Sequence, residues 1–373
     1  MNFGVTCYMN SVVQCLCGNS ELVGIFLSRQ YEKDLQKDNW KGTRGILSEA
    51  FATLLSNLFK GDVSLCRPST LRRVCGKFNS QWGIDEQQDA KEFLEFILDH
   101  LHEDLNVAWN KAPLKQLTEE QELTRERLPI PHVARIEWGR YQYRERSLIG
   151  SLFAGQHASR LTCMTCGTTS TTYEAFWSIS VEIPHDRPGD LKDCLRSYCA
   201  NERLSEGEEW RCPRCKRNRE ARKKITITRA PDNLVIHFKR FNASHTERAH
   251  KIRTPIHFPL RGLDLGPFMV PPLSPEDEAN VMQNSRDAAA QLTGLKTDPA
   301  MIGPFQYNAY AVIWHLGNTL GSGHYVAHVR DKAKGTWRQF NDDKVMDFQP
   351  SEKNRLQNEK AYIVFYERER VAG

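Results

Sequence analysis

The chain has 373 residues, 40% of them hydrophobic, enough to bury a core of its own, which excludes a mini-protein held together by staples. Its 51 Lys and Arg stand against 46 Asp and Glu, and a net charge of +5 gives no ground by itself for nucleic-acid binding. No stretch approaches the ~20 apolar residues of a membrane span and the opening residues lack a leader's basic and apolar regions, so a soluble intracellular, cytoplasmic chain is expected, with the nucleus or endosomes as alternatives.

From Cys7 the run Tyr8, Val12, Val13, Cys15 and Leu16 contains no Gly or Pro until Gly18, which predicts a helix beginning at or just after Cys7. A thiol placed there sits where a helix favours negative charge. Further helices are predicted over 46–59 and 88–104. In the second, Phe93, Leu94, Ile97, Leu98 and Leu101 form an apolar stripe, while Asp89 and Glu92 lie three apart on one face near its start. Residues 107–150 are rich in charge and predict an exposed helix plus a linker.

After Ser151 the pattern turns β-like. Runs at 177–183, 224–228, 234–241 and 307–314 are punctuated by Pro184, Pro231 and Pro255. The stretch 267–304 holds six of the 17 prolines around an Ala-rich polar centre. Such a composition can bury little, and a mobile surface insertion is expected there.

Three segments carry the types a cysteine hydrolase needs. A thiol becomes a useful nucleophile when a base takes its proton and a third polar group fixes the base. Cys7, His324 and Asn341 supply these in order, with Asp342 as a second candidate for the third place. His324 follows Gly321-Ser322-Gly323, a flexible lead-in that lets a substrate backbone pass close, and Tyr325 to Val329 reads as the strand presenting it. Of the eleven cysteines, Cys163 and Cys166 pair with Cys212 and Cys215 as two Cys-x-x-Cys knuckles 45 residues apart. Four such thiols predict a closed, structural tetrahedral zinc site. Cys15, Cys17, Cys66, Cys75, Cys194 and Cys199 read as small buried residues, and His237, His257 and His315 as structural histidines.

Asn2-Phe3-Gly4-Val5-Thr6-Cys7-Tyr8-Met9-Asn10-Ser11, Gln87 to Leu94, the two knuckles, Leu234 to Phe241, Ser322 to Val329 and Ala361 to Tyr366 occur in the order of the motifs of the ubiquitin-specific proteases, which this chain resembles over nearly its whole length. The finger sequence Ser159 to Gly167 is similar to that of fungal enzymes related to the endosomal deubiquitinases. The resemblance implies an α+β, papain-like fold in a single catalytic domain: a helical thumb at 1–105, a β-rich palm from 106–159 and 231–373, and zinc-tied fingers at 160–230. It implies a thiol hydrolase that cleaves after the C-terminal glycine of ubiquitin through a Cys7 thioester, with His324 as general base and acid and no catalytic cofactor. Asn2 would donate to the oxyanion with the Cys7 backbone N–H, and Asp342 would help bind the oxyanion water. Asp89 and Glu92 would hold the basic arm of ubiquitin, with Gly323 and Tyr325 beside its tail. Ubiquitin and ubiquitinated proteins are then the expected partners of a monomeric domain.

Family members carry more chain before the position of Asn2, so a trimmed domain is also expected. The rival readings are a ubiquitin-binding pseudoprotease, a protease for another modifier ending in Gly-Gly, and a zinc module that binds nucleic acid. The last rests on the basic tract Arg214, Lys216, Arg217, Arg219, Arg222, Lys223 and Lys224, which lacks interleaved aromatics and reads better as a solvated finger face.

Overall fold

A computed structural model describes residues 6–61, 65–184, 187–205, 207–241, 251–285, 287–352 and 355–370. The first helix, Cys7–Cys17, buries Tyr8, Met9, Val12, Val13, Cys15 and Leu16. It stops at Gly18, where a β-carbon would lie 2.7 Å from Val329 Cγ1, so only glycine lets the helix end approach the sheet this closely. The helix Ala90–Asp104 is capped by Asp89, whose Oδ1 accepts from the Lys91 amide at 2.6 Å. Its last residue, the fully buried Asp104, accepts from the amide and hydroxyl of Thr43, both at 2.6 Å, and so ties in the start of the helix Ile46–Lys60.

The sheet that carries the rest runs, in spatial order, Lys344–Phe348, Thr336–Asn341, His324–Asp331, Gln306–Leu316, Ala361–Arg368, Asn233–Lys239 and Ile179–Glu182. Its central strands are covered on both faces, which explains their unbroken apolar runs. Alternate residues go to alternate cores. Ile363, Phe365, Ile313 and Ala327 face the helices, while Val364, Tyr366 and Val312 join a second core with Leu191, Leu195 and Phe258.

A second, four-stranded sheet orders Thr169–Phe176, Gly155–Cys163, Ala221–Arg229 and Asn201–Leu204. The short hairpin of Trp210–Cys212 and Arg217–Arg219 lies at its knuckle end. Within the basic tract, Lys216 pairs with Glu119 at 3.0 Å and Lys223 with Glu202 at 3.4 Å, while Arg222 and Lys224 face solvent. Among the described residues no helix is long and apolar enough to cross a membrane.

Two regions differ from the sequence reading. Residues 107–150 hold more than one helix: Glu119–Glu126 is exposed, but Ile130–Arg144 buries His132, Val133, Ala134 and Trp138, and Leu148–Phe153 enters the main core. The stretch 267–304, expected to bury little, contains the helices Pro275–Asn284, Ala288–Thr297 and Pro299–Ile302 around a small core of Val281, Ala288, Leu292 and Leu295. Arg135 reaches Gln291 at 2.5 Å, and His132 meets Ser285 at 3.0 Å, docking the segment on the long helix. Sparse apolar residues at helical spacing sufficed because a neighbouring helix supplied the other wall. Of the six cysteines read as buried, Cys15, Cys75 and Cys194 are buried and Cys17, Cys66 and Cys199 half-buried.

Arg240 is fully buried and bonds four backbone carbonyls: Ala361 at 2.5 Å, Ile252 and Thr254 at 3.0 Å, and Asn358 at 3.2 Å. Burial pushes its pKa down to about 10. Arg240→Met is expected to lower stability by roughly 2–4 kcal/mol, because it strands buried acceptors. A lower urea midpoint checks this, and an unchanged one would mean that water replaces the guanidinium.

Candidate active site

Cys7 is the first residue of its helix and is fully buried. His324 is the first residue of the strand His324–Asp331, against which that helix packs. The Cys7 side chain is the strongest influence on the protonation of His324. On the other side of the ring, His324 Nε2 donates to Asn341 Oδ1 at 2.7 Å, which leaves Nδ1 for the thiol. The His324 pKa is raised to about 9, first by the Cys7 side chain and then, against partial burial, by Asn341 and the charge of Asp342.

Asn341 ends the strand Thr336–Asn341 and pairs across a tight turn with Lys344. Inside that turn Asp342 has φ +52°, a left-handed conformation that Asp tolerates better than most residues. Its carboxylate accepts from Asn10 Nδ2 at 3.0 Å and lies 3.9 Å from His324 Nε2. Both sequence candidates for the third group therefore reach the histidine, Asn341 by a hydrogen bond and Asp342 at longer range. Asn2, the expected oxyanion donor, lies outside the described residues.

The other expected contacts divide. Asp89 caps its helix and accepts from the Tyr362 hydroxyl at 2.5 Å, with Glu92 exposed one turn on. Burial, and then the charge of Asp89, raise the Glu92 pKa. Tyr325, expected beside the substrate, is only 1% exposed and stacks edgewise on His315, so it supports the strand from behind. Gly323 closes the lead-in expected to be flexible, and the structure gives it a steric role. Its φ of −109° suits any residue, but a β-carbon there would sit 1.9 Å from His315 Nε2. His315 is fully buried, and burial holds its pKa down to about 3. It is therefore a neutral wedge that requires glycine beside the catalytic histidine.

Three neighbours escaped the sequence reading. Gln87 Oε1 lies 3.6 Å from Cys7 Sγ, Asn10 steadies Asp342, and Tyr362 holds Asp89. Gln87 stands two residues before Asp89, and Tyr362 falls in the closing apolar strand, where it reads as core. All three fall within the family motifs, Asn10 in the run from Asn2 to Ser11, Gln87 in that to Leu94 and Tyr362 in that to Tyr366, but nothing along the chain gave them these partners.

Comparison with known proteins decides the family. The family model "Ubiquitin carboxyl-terminal hydrolase" matches residues 1–366. The chain belongs to the ubiquitin carboxyl-terminal hydrolase family. Ubiquitin carboxyl-terminal hydrolase 4 of Saccharomyces cerevisiae (strain YJM789) is 37% identical over 384 aligned residues, covering 98% of this chain and 39% of that protein. Ubiquitin carboxyl-terminal hydrolase 2 of Homo sapiens is 34% identical over 369, covering 98% and 54%. The chain thus spans about two fifths to one half of these relatives. A chain of the SAGA Ubp8/Sgf11/Sus1/Sgf73 DUB module bound to ubiquitin aldehyde matches the fold with a TM-score of 0.69 at 21% identity, covering 100% of this chain and 69% of that one.

This hydrolase-family chain also brings together the four knuckle cysteines, whose sulfurs all lie within 4.8 Å of one another. Cys166 Sγ and Cys212 Sγ are 3.6 Å apart, close to the ~3.8 Å edge of a tetrahedron with ~2.3 Å metal–sulfur bonds. The knuckles repeat one geometry: after each, a residue at positive φ, Gly167 or Lys216, returns its amide to the carbonyl of Cys163 at 3.0 Å or Cys212 at 2.9 Å. The Thr168 hydroxyl, 3.2 Å from Cys166 Sγ, favours thiolate there. The group could hold a metal ion, and with four protein ligands it would leave no position for substrate. Cys212→Ser is expected to remove the bound metal, measured by elemental analysis, and to lower the melting temperature by more than about 5 °C. Retained metal with unchanged melting would exclude this ligand set.

Proposed function

We propose that the chain is the catalytic domain of a deubiquitinating thiol hydrolase that cleaves after the C-terminal glycine of ubiquitin in isopeptide-linked conjugates. One observation carries the reading: His324 is hydrogen-bonded to Asn341 on one side and has its pKa raised first by the Cys7 side chain. Such an arrangement gives the thiol a base that holds its proton ready for a leaving amine.

In the proposed reaction Cys7 Sγ attacks the terminal glycine carbonyl, forming a C–S bond. The C–N bond then breaks as the His324 imidazolium passes its proton to the lysine nitrogen. Neutral His324 next takes a proton from water, whose oxygen attacks the thioester carbon. The C–S bond breaks, releasing the ubiquitin carboxylate and restoring the Cys7 thiolate and protonated His324. The Cys7 amide, at the start of its helix, is available to the oxyanion, and Asn10 and Asp342 hold the opposite edge of the site. Asp89 and Glu92 offer a negative face to the basic tail of ubiquitin. The wedge of His315 requires glycine at 323 and so leaves no side chain there beside His324. We further assign the four-cysteine group to a structural zinc ion, which ties the two knuckles and takes no part in the chemistry.

Two experiments test the reading. Ubiquitin bearing a cysteine-reactive electrophile at its C-terminus is expected to form a single adduct with the chain and none with Cys7→Ala, which should still bind ubiquitin. Binding without an adduct would favour a pseudoprotease, and neither would favour another Gly-Gly modifier.

In the second, kcat/KM is expected to fall on the alkaline side near pH 9, where His324 loses the proton owed to the leaving amine. The same raised pKa means that protonated His324 contributes stability fully below the ordinary histidine value of 6.5, a contribution lost as pH rises through about 9. Asn341→Ala should move the alkaline limb to lower pH and slow kcat at least about tenfold. An unmoved limb would remove Asn341 from the histidine's control.

A further inference from the structure

Beside the nucleophile opens a cleft of about 890 Å³, of which the reaction just described uses only the edge formed by Asn10 and Asp342. Its catalytic end is formed by Thr6, Asn10, Asp342 and Asp343, so it begins where the Cys7 helix meets the turn after Asn341. None of the acyl-side residues, Asp89, Glu92 or Gly323, lines it. A substrate bond held over Cys7 therefore has the ubiquitin tail on one side and this cleft on the other.

The cleft has a definite chemical order. Two carboxylates, Asp342 and Asp343, stand at the catalytic end. The middle is walled by Leu54, Leu58 and the partly exposed Leu65. Along the far wall the helix Ser69–Phe78 presents Arg73 and Lys77, one turn apart and both exposed. Neither has an ion-pair partner among the described residues. Arg72, on the same helix, differs in being tied to Asp85 at 2.6 Å and to the Ile84 carbonyl at 2.9 Å. A fixed cation holds the loop that leads to Gln87, and two uncommitted cations face the cleft.

We infer that this cleft receives the lysine-bearing segment of the conjugated protein, and that it favours an apolar residue and acidic side chains next to the modified lysine. Negative charge at the catalytic end suits the amine as it departs, the leucines suit an apolar neighbour, and Arg73 with Lys77 suits carboxylates farther along. The inference rests on the proposed isopeptidase reading and adds the leaving-group side to it.

The test compares three ubiquitin substrates at low salt: a C-terminal aryl amide, an isopeptide to a lysine peptide with Leu and Glu flanks, and the same with Leu and Arg flanks. The acid-flanked peptide is expected to be cleaved with roughly fivefold higher kcat/KM than the basic one, a ratio that shrinks in high salt. The double variant Arg73→Glu, Lys77→Glu should reverse the preference, and because the readout is a ratio, partial loss of folded protein cancels. Turnover of all three substrates with a ratio that the double variant leaves unchanged gives the cleft to another occupant, such as a second copy of the chain, and overturns the assignment alone. No turnover of any substrate, including the aryl amide, overturns the isopeptidase reading and this inference together.

Discussion

The close packing of one short helix along one strand is the constraint on which the site depends. From Cys7 to Gly18 the helix rises about 16 Å, at ~1.5 Å per residue. From His324 to Val329 the strand rises about 16 Å as well, at ~3.3 Å per residue. Gly18 touches Val329 at one end, so the matched lengths bring Cys7 to His324 at the other. A bulkier residue at Gly18 would lift the helix from the sheet and separate nucleophile from base, although neither end touches the other in sequence. The apolar residues of the helix serve this alignment as much as they serve the core.

The sheet supplies the remaining geometry, its central strands being buried on both faces. Strands with an alternating choice of core have their register fixed twice, and the strand of Asn341 takes its register from pairing with that of His324, Ala327 lying opposite Phe340. Buried polar groups then set the fine positions. Neutral His315 fills the space under Gly323, Tyr362 holds the Asp89 carboxylate, and Asn10 turns Asp342 toward the histidine. Each lies behind a residue expected to meet substrate or proton, and each restricts that residue to one arrangement. Arg240 plays a similar part away from the site, joining the closing strand to the segment after Lys251 through carbonyls alone.

The knuckles show the same economy of means at the other end of the molecule. Two chemically unlike residues, Gly167 and Lys216, adopt the same left-handed turn because each must fold its amide back onto the first cysteine of its pair. The strand Gly155–Cys163 reaches from the main body to this point and pairs Cys163 with Ala221, so the first knuckle inherits its position from a sheet register. The charged residues around it are largely solvated or paired across the surface.

By itself the sequence determined the residue types and their order: a thiol opening a helix, a histidine opening a strand, an amide closing the next strand, and two paired-cysteine knuckles. These are local signals of periodicity, capping and spacing, which survive without a partner. The helix over 90–104 and the apolar strands were legible for that reason, and the family motifs named the chemistry. Only the tertiary structure set Asn341 at hydrogen-bond distance from the histidine and Asp342 at 3.9 Å, because the two leave a turn whose backbone has positive φ at Asp342. Only it buried Tyr325, gave Gly323 a steric reason through His315, and folded 267–304 around a small core. Those outcomes depend on atoms far apart in the chain, and no pattern along the chain records what lies across a gap of a few ångströms.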